Sequence, residues 1–205
     1  TDTVQVMKNL FTDPVAARKI VDNIDKFQEK IWGVARIARS SGIDANVYRH
    51  LPEDVIYKWW DYNNRELYIR QCNSVEFGAE RMKSIRPLVN DIVKKADEAL
   101  STGRYAADLK FGHDYPLLSL ASYLHLSGVG DVVSFDEIPT RWNDPMNIPL
   151  ASNLQIIFYR SKKSQDILVK FVYNDEERTI TGLEPVSGVY YKWNDVKNFV
   201  NDRRD

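Results

Sequence analysis

Apolar side chains in the first half of the chain recur at helical spacing. Asp13 and Pro14 are typical of the start of a helix. The apolar positions that follow at steps of four and three are Ile20, Ile24, Phe27, Ile31 and Val34. This spacing predicts one continuous helix that ends near Gly42. Similar patterns predict a second helix after Pro52 and a third, which Gly103 closes.

The pattern changes after Gly103, where short runs of β-forming residues replace the helical spacing. Ala107 to Phe111 is predicted to form a strand that leads through Gly112-His113-Asp114 into a helix. The further predicted elements are a hairpin of Leu154–Arg160 and Ile167–Tyr173, a third strand at Arg178–Thr181 and a closing helix at Trp193–Val200. The chain is therefore predicted to be α/β, with a mainly helical portion over residues 1–103 and an α/β portion over residues 104–205.

Composition and charge exclude several classes of protein. The chain has 205 residues, 43% of them hydrophobic, which is ordinary for a folded protein. Lys and Arg total 28 against 29 Asp and Glu, so no global field attracts nucleic acid or an acidic membrane. The single cysteine, Cys72, excludes an internal disulfide and a cysteine-rich metal site. No apolar run reaches the roughly 20 residues that a membrane-spanning helix needs.

The segment Phe111-Gly112-His113-Asp114 carries the strongest indication of chemistry. It stands where a predicted strand gives way to a helix, with Asp114 as a candidate cap, and the free amides of a helix N-terminus favour an anion. Gly112 would let the backbone approach a ligand closely. An imidazolium can hold phosphoryl oxygens while a carboxylic acid protonates a departing alkoxide. A surface or capping role for the pair remains an alternative reading.

Lys110 alternates with Leu109 and Phe111 in the predicted strand before this pair. Its side chain could therefore approach the site from one face of the sheet. An attacking nucleophile and a set of cationic donors are also needed for phosphoryl transfer, and the residues next to His113 do not supply them.

Several segments resemble the histidine acid phosphatase family. The segment LKFGHDYPLLSLASYLHL, Leu109 to Leu126, is similar to the region around that family's His-Asp motif. The other similar segments are YKWWDYNNRELYIRQCNS (Tyr57 to Ser74), PLASNLQIIFYR (Pro149 to Arg160), ILVKFVYNDEE (Ile167 to Glu177) and SGVYYKWNDVKNFV (Ser187 to Val200), which resemble the multiple inositol polyphosphate phosphatase and phytase branch. The resemblance spans nearly the whole chain.

The resemblance implies a fold and a role for each residue of the pair. It implies part of a mixed sheet flanked by helices, with a helical insertion in the N-terminal half. In that family the His of the motif contacts phosphate and the Asp donates a proton to the leaving group, which carries these roles to His113 and Asp114. Gly112 and His113 would bind substrate. Tyr115-Pro116 departs from the polar residues that usually follow the motif, which leaves the leaving-group pocket undefined.

The family's nucleophilic His belongs to an Arg-His-Gly motif, and this chain has none. Arg49-His50 is followed by Leu51 and is interpreted as a surface pair. Truncation, with the motif lying upstream of Thr1, is the preferred interpretation of the gap, and a degenerate relative is the alternative. The chain by itself is then expected to be inactive.

The resulting hypothesis is a phosphomonoester hydrolase that acts on a small phosphorylated substrate, with inositol polyphosphate favoured. The resemblance implies no metal or organic cofactor and a periplasmic, cell-surface or secreted location. An unpaired strand edge could produce a homodimer of the chain. The rival hypotheses are a non-catalytic phosphate-binding or interaction module and an unrelated α/β binding domain in which the His-Asp pair is accidental.

Overall fold

A computed structural model describes residues 3–38, 40–43 and 46–202 of the chain. Its α-helices are α1 (Thr3–Leu10), α2 (Pro14–Ile20), α3 (Ile24–Ala38), α4 (Glu53–Gln71), α5 (Gly78–Thr102), α6 (Asp114–Tyr123), α7 (Ile138–Arg141), α8 (Asp144–Asn147) and α9 (Trp193–Asp202). Short 3-10 helices form at Val47–His50 and Phe135–Glu137. None of the described helices is both long and apolar enough to cross a bilayer.

The predicted continuous helix from Asp13 to Gly42 is wrong, because the chain breaks between α2 and α3. Val21 leaves helical geometry, and the Asn23 side chain accepts a hydrogen bond of 2.9 Å from the Lys26 amide, which starts a new helix. Asn side chains compete for backbone groups in this way and favour helix caps. Ile20, which the predicted stripe had turned inward, is 82% exposed.

The second and third predicted helices are confirmed as α4 and α5. Helix α4 begins directly after Pro52. The negative charges of Glu53 and Asp54 in its first turn interact favourably with the positive end of the helix dipole and so stabilise the helix. Helix α5 ends at Gly103, whose φ of 62° is the left-handed conformation that glycine adopts most easily at a helix C-terminus.

The strands form one antiparallel sheet with β2 at its centre. The strands are β1 (Leu154–Arg160), β2 (Ile167–Tyr173), β3 (Glu176–Arg178) and β4 (Tyr191–Lys192). Strand β1 lies along one edge of β2, while β3 and β4 pair with different parts of its other edge. The predicted hairpin has the bounds that the structure shows, and α9 begins at Trp193 as predicted. The α/β fold class and the helical N-terminal half are confirmed.

The predicted strand at Ala107–Phe111 is wrong in this structure. Residues 106–112 are irregular and exposed, and no backbone hydrogen bond joins them to another described residue. A strand exists only where a second strand satisfies its amides and carbonyls, and no described strand pairs with this segment. The segment therefore stays irregular, although its residues are of types that commonly form strands.

The chain divides into two compact units, residues 1–63 and residues 64–205. In the first unit a small core contains Val6, Trp32, Leu51, Val55 and Trp59. In the second unit β2, α5, α6 and α9 share one core, and Val169, Phe171 and Tyr173 of β2 are fully buried in it. The division at Gly103, which rests on the change from helical to strand pattern, stays a prediction.

Buried polar side chains fix the position of α6 inside the second unit. The Asn73 amide nitrogen donates to the carbonyl oxygens of Ser122 and Gly130. The Tyr68 hydroxyl accepts from the Val133 amide at 3.0 Å. A Cβ on Gly130 would lie 2.5 Å from the Ala121 carbonyl oxygen, so this close approach requires glycine. Helix α6 and the residues that follow it are thereby held against the end of α4.

Candidate active site

His113 and Asp114 line the same open groove, at the point where α6 begins. The groove has a volume of about 570 Å³, and both side chains are exposed. Its lining residues are Gln71, Ser84, Ile85, His113, Asp114, Tyr115, Pro116 and Ser119. The structure therefore places His113 and Asp114 together on one solvent-accessible surface.

The start of α6 differs by one residue from the prediction. His113 occupies the cap position with extended backbone geometry, and Asp114 is the first helical residue. The Asp114 Oδ1 atom accepts a hydrogen bond of 3.0 Å from the Tyr115 amide, so the carboxylate satisfies one of the free amides of the first turn. Pro116 has no amide hydrogen. An anion at this helix end would therefore meet mainly the amide of Asp114 itself.

Gln71 and Ser119 belong to the groove, and sequence reasoning did not identify them. The Ser119 hydroxyl lies 3.0 Å from the Gln71 carbonyl oxygen and 3.2 Å from Gln71 Oε1, and it joins the end of α4 to α6. Gln71 and Ser119 are 48 positions apart in the sequence, so only the packing of the two helices brings them together. No local motif could have indicated this contact.

Gly112 lies one residue before the groove lining. A Cβ built on it would meet no atom within 4 Å, and its φ is outside the left-handed region. The fold itself does not require glycine at this position. The space beside Gly112 is open to a ligand, which is compatible with the predicted substrate contact.

The cations that a phosphate group requires are absent from the groove lining. None of its eight residues is Lys or Arg. Lys110, which the sequence placed near the site, instead lies 2.5 Å from Asp91 Oδ2 on α5 and 3.5 Å from Asp108 Oδ2. The hydrogen bond between Lys110 and Asp91 raises the pKa of Lys110 and lowers the pKa of Asp91. Lys110 thus anchors the segment before His113 to α5.

The Arg49-His50 pair lies in the first unit, at the end of the 3-10 helix Val47–His50. The Arg49 Nε–H donates to His50 Nε2 at 3.0 Å, so the two side chains bind one another. Among the described residues, no group of three or more His, Cys, Asp and Glu side chains is arranged to hold a metal ion. A mechanism without a cofactor remains a prediction.

Behind the groove, the hydrophobic core of the second unit raises the pKa of a buried thiol and of a buried phenol. Burial raises the pKa of the Cys72 thiol from 9.0 to about 12, against a smaller opposing effect of its hydrogen bond with Ser122. Burial is also the main cause that raises the pKa of the Tyr173 phenol, while the positive charge of Arg178 opposes the increase.

Comparison with solved structures relates this fold to three crystal structures of multiple inositol polyphosphate phosphatase from Bifidobacterium longum. The complex with inositol hexasulfate has a TM-score of 0.71 at 18% identity, over 82% of this chain and 37% of the enzyme. The phosphate complex has a TM-score of 0.71 at 16% identity, over 86% of this chain and 40% of the enzyme. The apo form has a TM-score of 0.63 at 18% identity, over 74% of this chain and 33% of the enzyme.

The match confirms, at the level of fold, the resemblance that the sequence indicated. The chain spans about two fifths of the length of the enzyme. Neither protein-family models nor curated proteins gave a match to the chain.

Proposed function

We propose that this chain is part of a phosphomonoesterase of the histidine acid phosphatase type. One observation carries the proposal: His113 and Asp114 stand exposed in a single groove. The fold around them is shared with an enzyme that was crystallised with inositol hexasulfate and with phosphate. We therefore favour an inositol polyphosphate as the substrate, and we infer that the residues act on its phosphate ester.

The two side chains have complementary chemical roles in this proposal. His113, when protonated, donates hydrogen bonds to phosphoryl oxygens and stabilises the negative charge that they carry. As the bond between phosphorus and the ester oxygen breaks, Asp114 transfers its proton to that oxygen, which leaves as an alcohol. A bound phosphate also favours the protonated carboxyl, because a second negative charge nearby is unfavourable. Asp114 is left as a carboxylate.

The proposal requires an attacking imidazole and cationic donors from residues outside these 205. The chain has three histidines, His50, His113 and His125, and none is part of an Arg-His-Gly sequence. The phosphoryl group would pass to the external imidazole and then to water. By this proposal the 205-residue chain binds the phosphate ester but does not cleave it.

A substitution of Asp114 separates acid catalysis from binding. In a full-length protein that supplies the nucleophile, Asp114→Asn is expected to slow hydrolysis of an alkyl phosphate by roughly 10²- to 10⁴-fold. Hydrolysis of p-nitrophenyl phosphate should change much less, since p-nitrophenolate leaves without a proton. Steady-state kcat on the two substrates measures the difference. Equal losses on both would remove Asp114 from the acid role.

The absence of an Arg-His-Gly sequence from these 205 residues favours one alternative function. A groove of this kind could bind a phosphate group without turning it over, as a non-catalytic interaction module. Sequencing of the flanking reading frame discriminates between the two. An upstream Arg-His-Gly with further arginines supports the enzyme, while its absence supports the binding module. By resemblance, we propose a periplasmic, cell-surface or secreted location.

A further inference from the structure

Gln71, the last residue of α4, lines the same groove as His113 and Asp114. The Ser119 hydroxyl donates to two oxygens of Gln71, the backbone carbonyl at 3.0 Å and the side-chain Oε1 at 3.2 Å. A carboxamide has one acceptor end and one donor end. Because Ser119 contacts the Oε1 end, the orientation of the Gln71 amide is fixed, and its Nε2 hydrogens are directed away from Ser119.

The contact between Gln71 and Ser119 lies at a different level of α6 from the His-Asp pair. Ser119 follows Asp114 by five residues within α6, which places it about 7.5 Å further along the helix axis at a rise of 1.5 Å per residue. This distance exceeds the width of a single phosphate group. A ligand that reaches both His113 and Gln71 must therefore extend beyond one phosphate. The groove has room for it, since its volume of about 570 Å³ is typical of pockets that bind small ligands.

The groove residues of α4 and α5 differ in what they offer an anion. Helix α5 contributes Ile85, which is apolar, and Ser84, whose hydroxyl donates to the Arg81 carbonyl oxygen at 2.8 Å and so presents only lone pairs to a ligand. The carbonyls at the end of α4 carry partial negative charge, and the Ser119 hydroxyl covers that of Gln71. Among the residues that line the groove, Gln71 Nε2 is therefore the donor that these two helices offer.

We propose that Gln71 is a specificity-determining residue, which donates hydrogen bonds from Nε2 to a second phosphate group of the substrate while His113 contacts the phosphate that is cleaved. The inference rests on the proposed function and deepens it, because it favours a ring that carries several phosphates over an ester with one. Hydrogen bonds from an amide to a charged oxygen are stronger than those between neutral groups. Ser119 acts through Gln71, whose amide it holds in this orientation.

Isothermal titration of the full-length protein with inositol hexasulfate and with inorganic phosphate tests the proposal. Gln71→Met removes the N–H groups at nearly the same size, and it should weaken binding of inositol hexasulfate by about 10- to 100-fold. The loss of affinity for inorganic phosphate should be about tenfold smaller, because one phosphate does not span the groove. Gln155→Met is the matched control, since Gln155 is exposed, lies outside the groove lining and donates to Asn153 Oδ1. The control should keep its affinity for both ligands.

Gln71→Glu separates a contact with the ligand from a structural role. Its carboxylate still accepts a hydrogen bond from the Ser119 hydroxyl, so a residue that only joined α4 to α6 would tolerate the change. A residue that donates to an anion would not, because the carboxylate has no N–H and repels the ligand. We therefore expect Gln71→Glu to bind inositol hexasulfate more weakly than Gln71→Met does.

The outcomes distinguish this inference from the proposed function. Affinity for inositol hexasulfate that Gln71→Glu leaves unchanged would overturn the inference, as would equal losses for both ligands in Gln71→Met. If His113→Ala still abolished binding in that case, the proposed function would be retained without a role for Gln71. A full-length protein that binds neither ligand would overturn both.

Discussion

Replacement of Gly112 by alanine tests whether the open space before α6 belongs to a ligand. An added Cβ meets no atom of the chain within 4 Å, and the φ of Gly112 is outside the left-handed region. The folded chain can therefore accept alanine without strain. Any loss of ligand binding in Gly112→Ala then reports a steric conflict with the ligand and no change of the fold.

The structure sets the expected magnitudes. Alanine restricts the unfolded chain more than glycine does, so the free energy of unfolding should rise by about 0.4–1 kcal/mol. An anion that contacts the Gly112 backbone would overlap the new methyl group, which costs roughly 1–3 kcal/mol by analogy with overpacking. That cost corresponds to a loss of affinity of about 5- to 150-fold.

Isothermal titration with inositol hexasulfate, together with urea unfolding, measures both effects on the same samples. Gly33→Ala is the matched control, since its Cβ also meets nothing within 4 Å and it lies within α3, where alanine is the better helix former. The control should gain stability and keep its affinity. Unchanged affinity in Gly112→Ala would exclude Gly112 from the binding site and refute the reasoning about the open space.

Two further expectations concern the interior of the second unit and its link to the groove. Above pH 9.0 the unfolded chain loses the Cys72 proton while the folded chain keeps it, so the free energy of unfolding should fall as pH rises from 9.0 towards 12. Cys72→Ala should make this fall shallower, most clearly below pH 10.0, where the buried Tyr173 does not yet contribute. An identical slope in both proteins would contradict the buried thiol. Ser119→Ala removes the hydrogen bond to Gln71 and should lower stability by about 1 kcal/mol. If the groove binds substrate as proposed, the loss of this contact in a full-length protein should raise KM more than it lowers kcat, and an effect on kcat alone would contradict a role of the Ser119–Gln71 contact in shaping the groove.

Short sequence patterns were sufficient to predict the elements that are determined by residues close together in the sequence. The hairpin around β2 and the end of α5 at Gly103 agree with the structure because alternation and a glycine cap are written into short stretches of sequence. The break at Asn23 was missed because the helical spacing of apolar residues continues across it. The polar cap there outweighs that spacing.

The candidate site was predictable only in part, for a related reason. His113 and Asp114 are adjacent in the sequence and could be named as candidates from it, whereas Gln71 reaches the groove only through the packing of α4 on α6. The strand predicted at 107–111 depends on a partner that no described segment provides. The composition of the segment shows that it can form a strand, while in the structure of this chain it is irregular.

Nuclear magnetic resonance of the three histidines offers the most direct test that His113 and Asp114 face a common oxyanion site. Because the chain contains only His50, His113 and His125, each imidazole can be followed separately during a titration with inositol hexasulfate. We expect saturable shifts of the His113 imidazole and of the Asp114 amide, with His50 and His125 unchanged. Saturable binding that leaves His113 unaffected, or no binding at all, would contradict it.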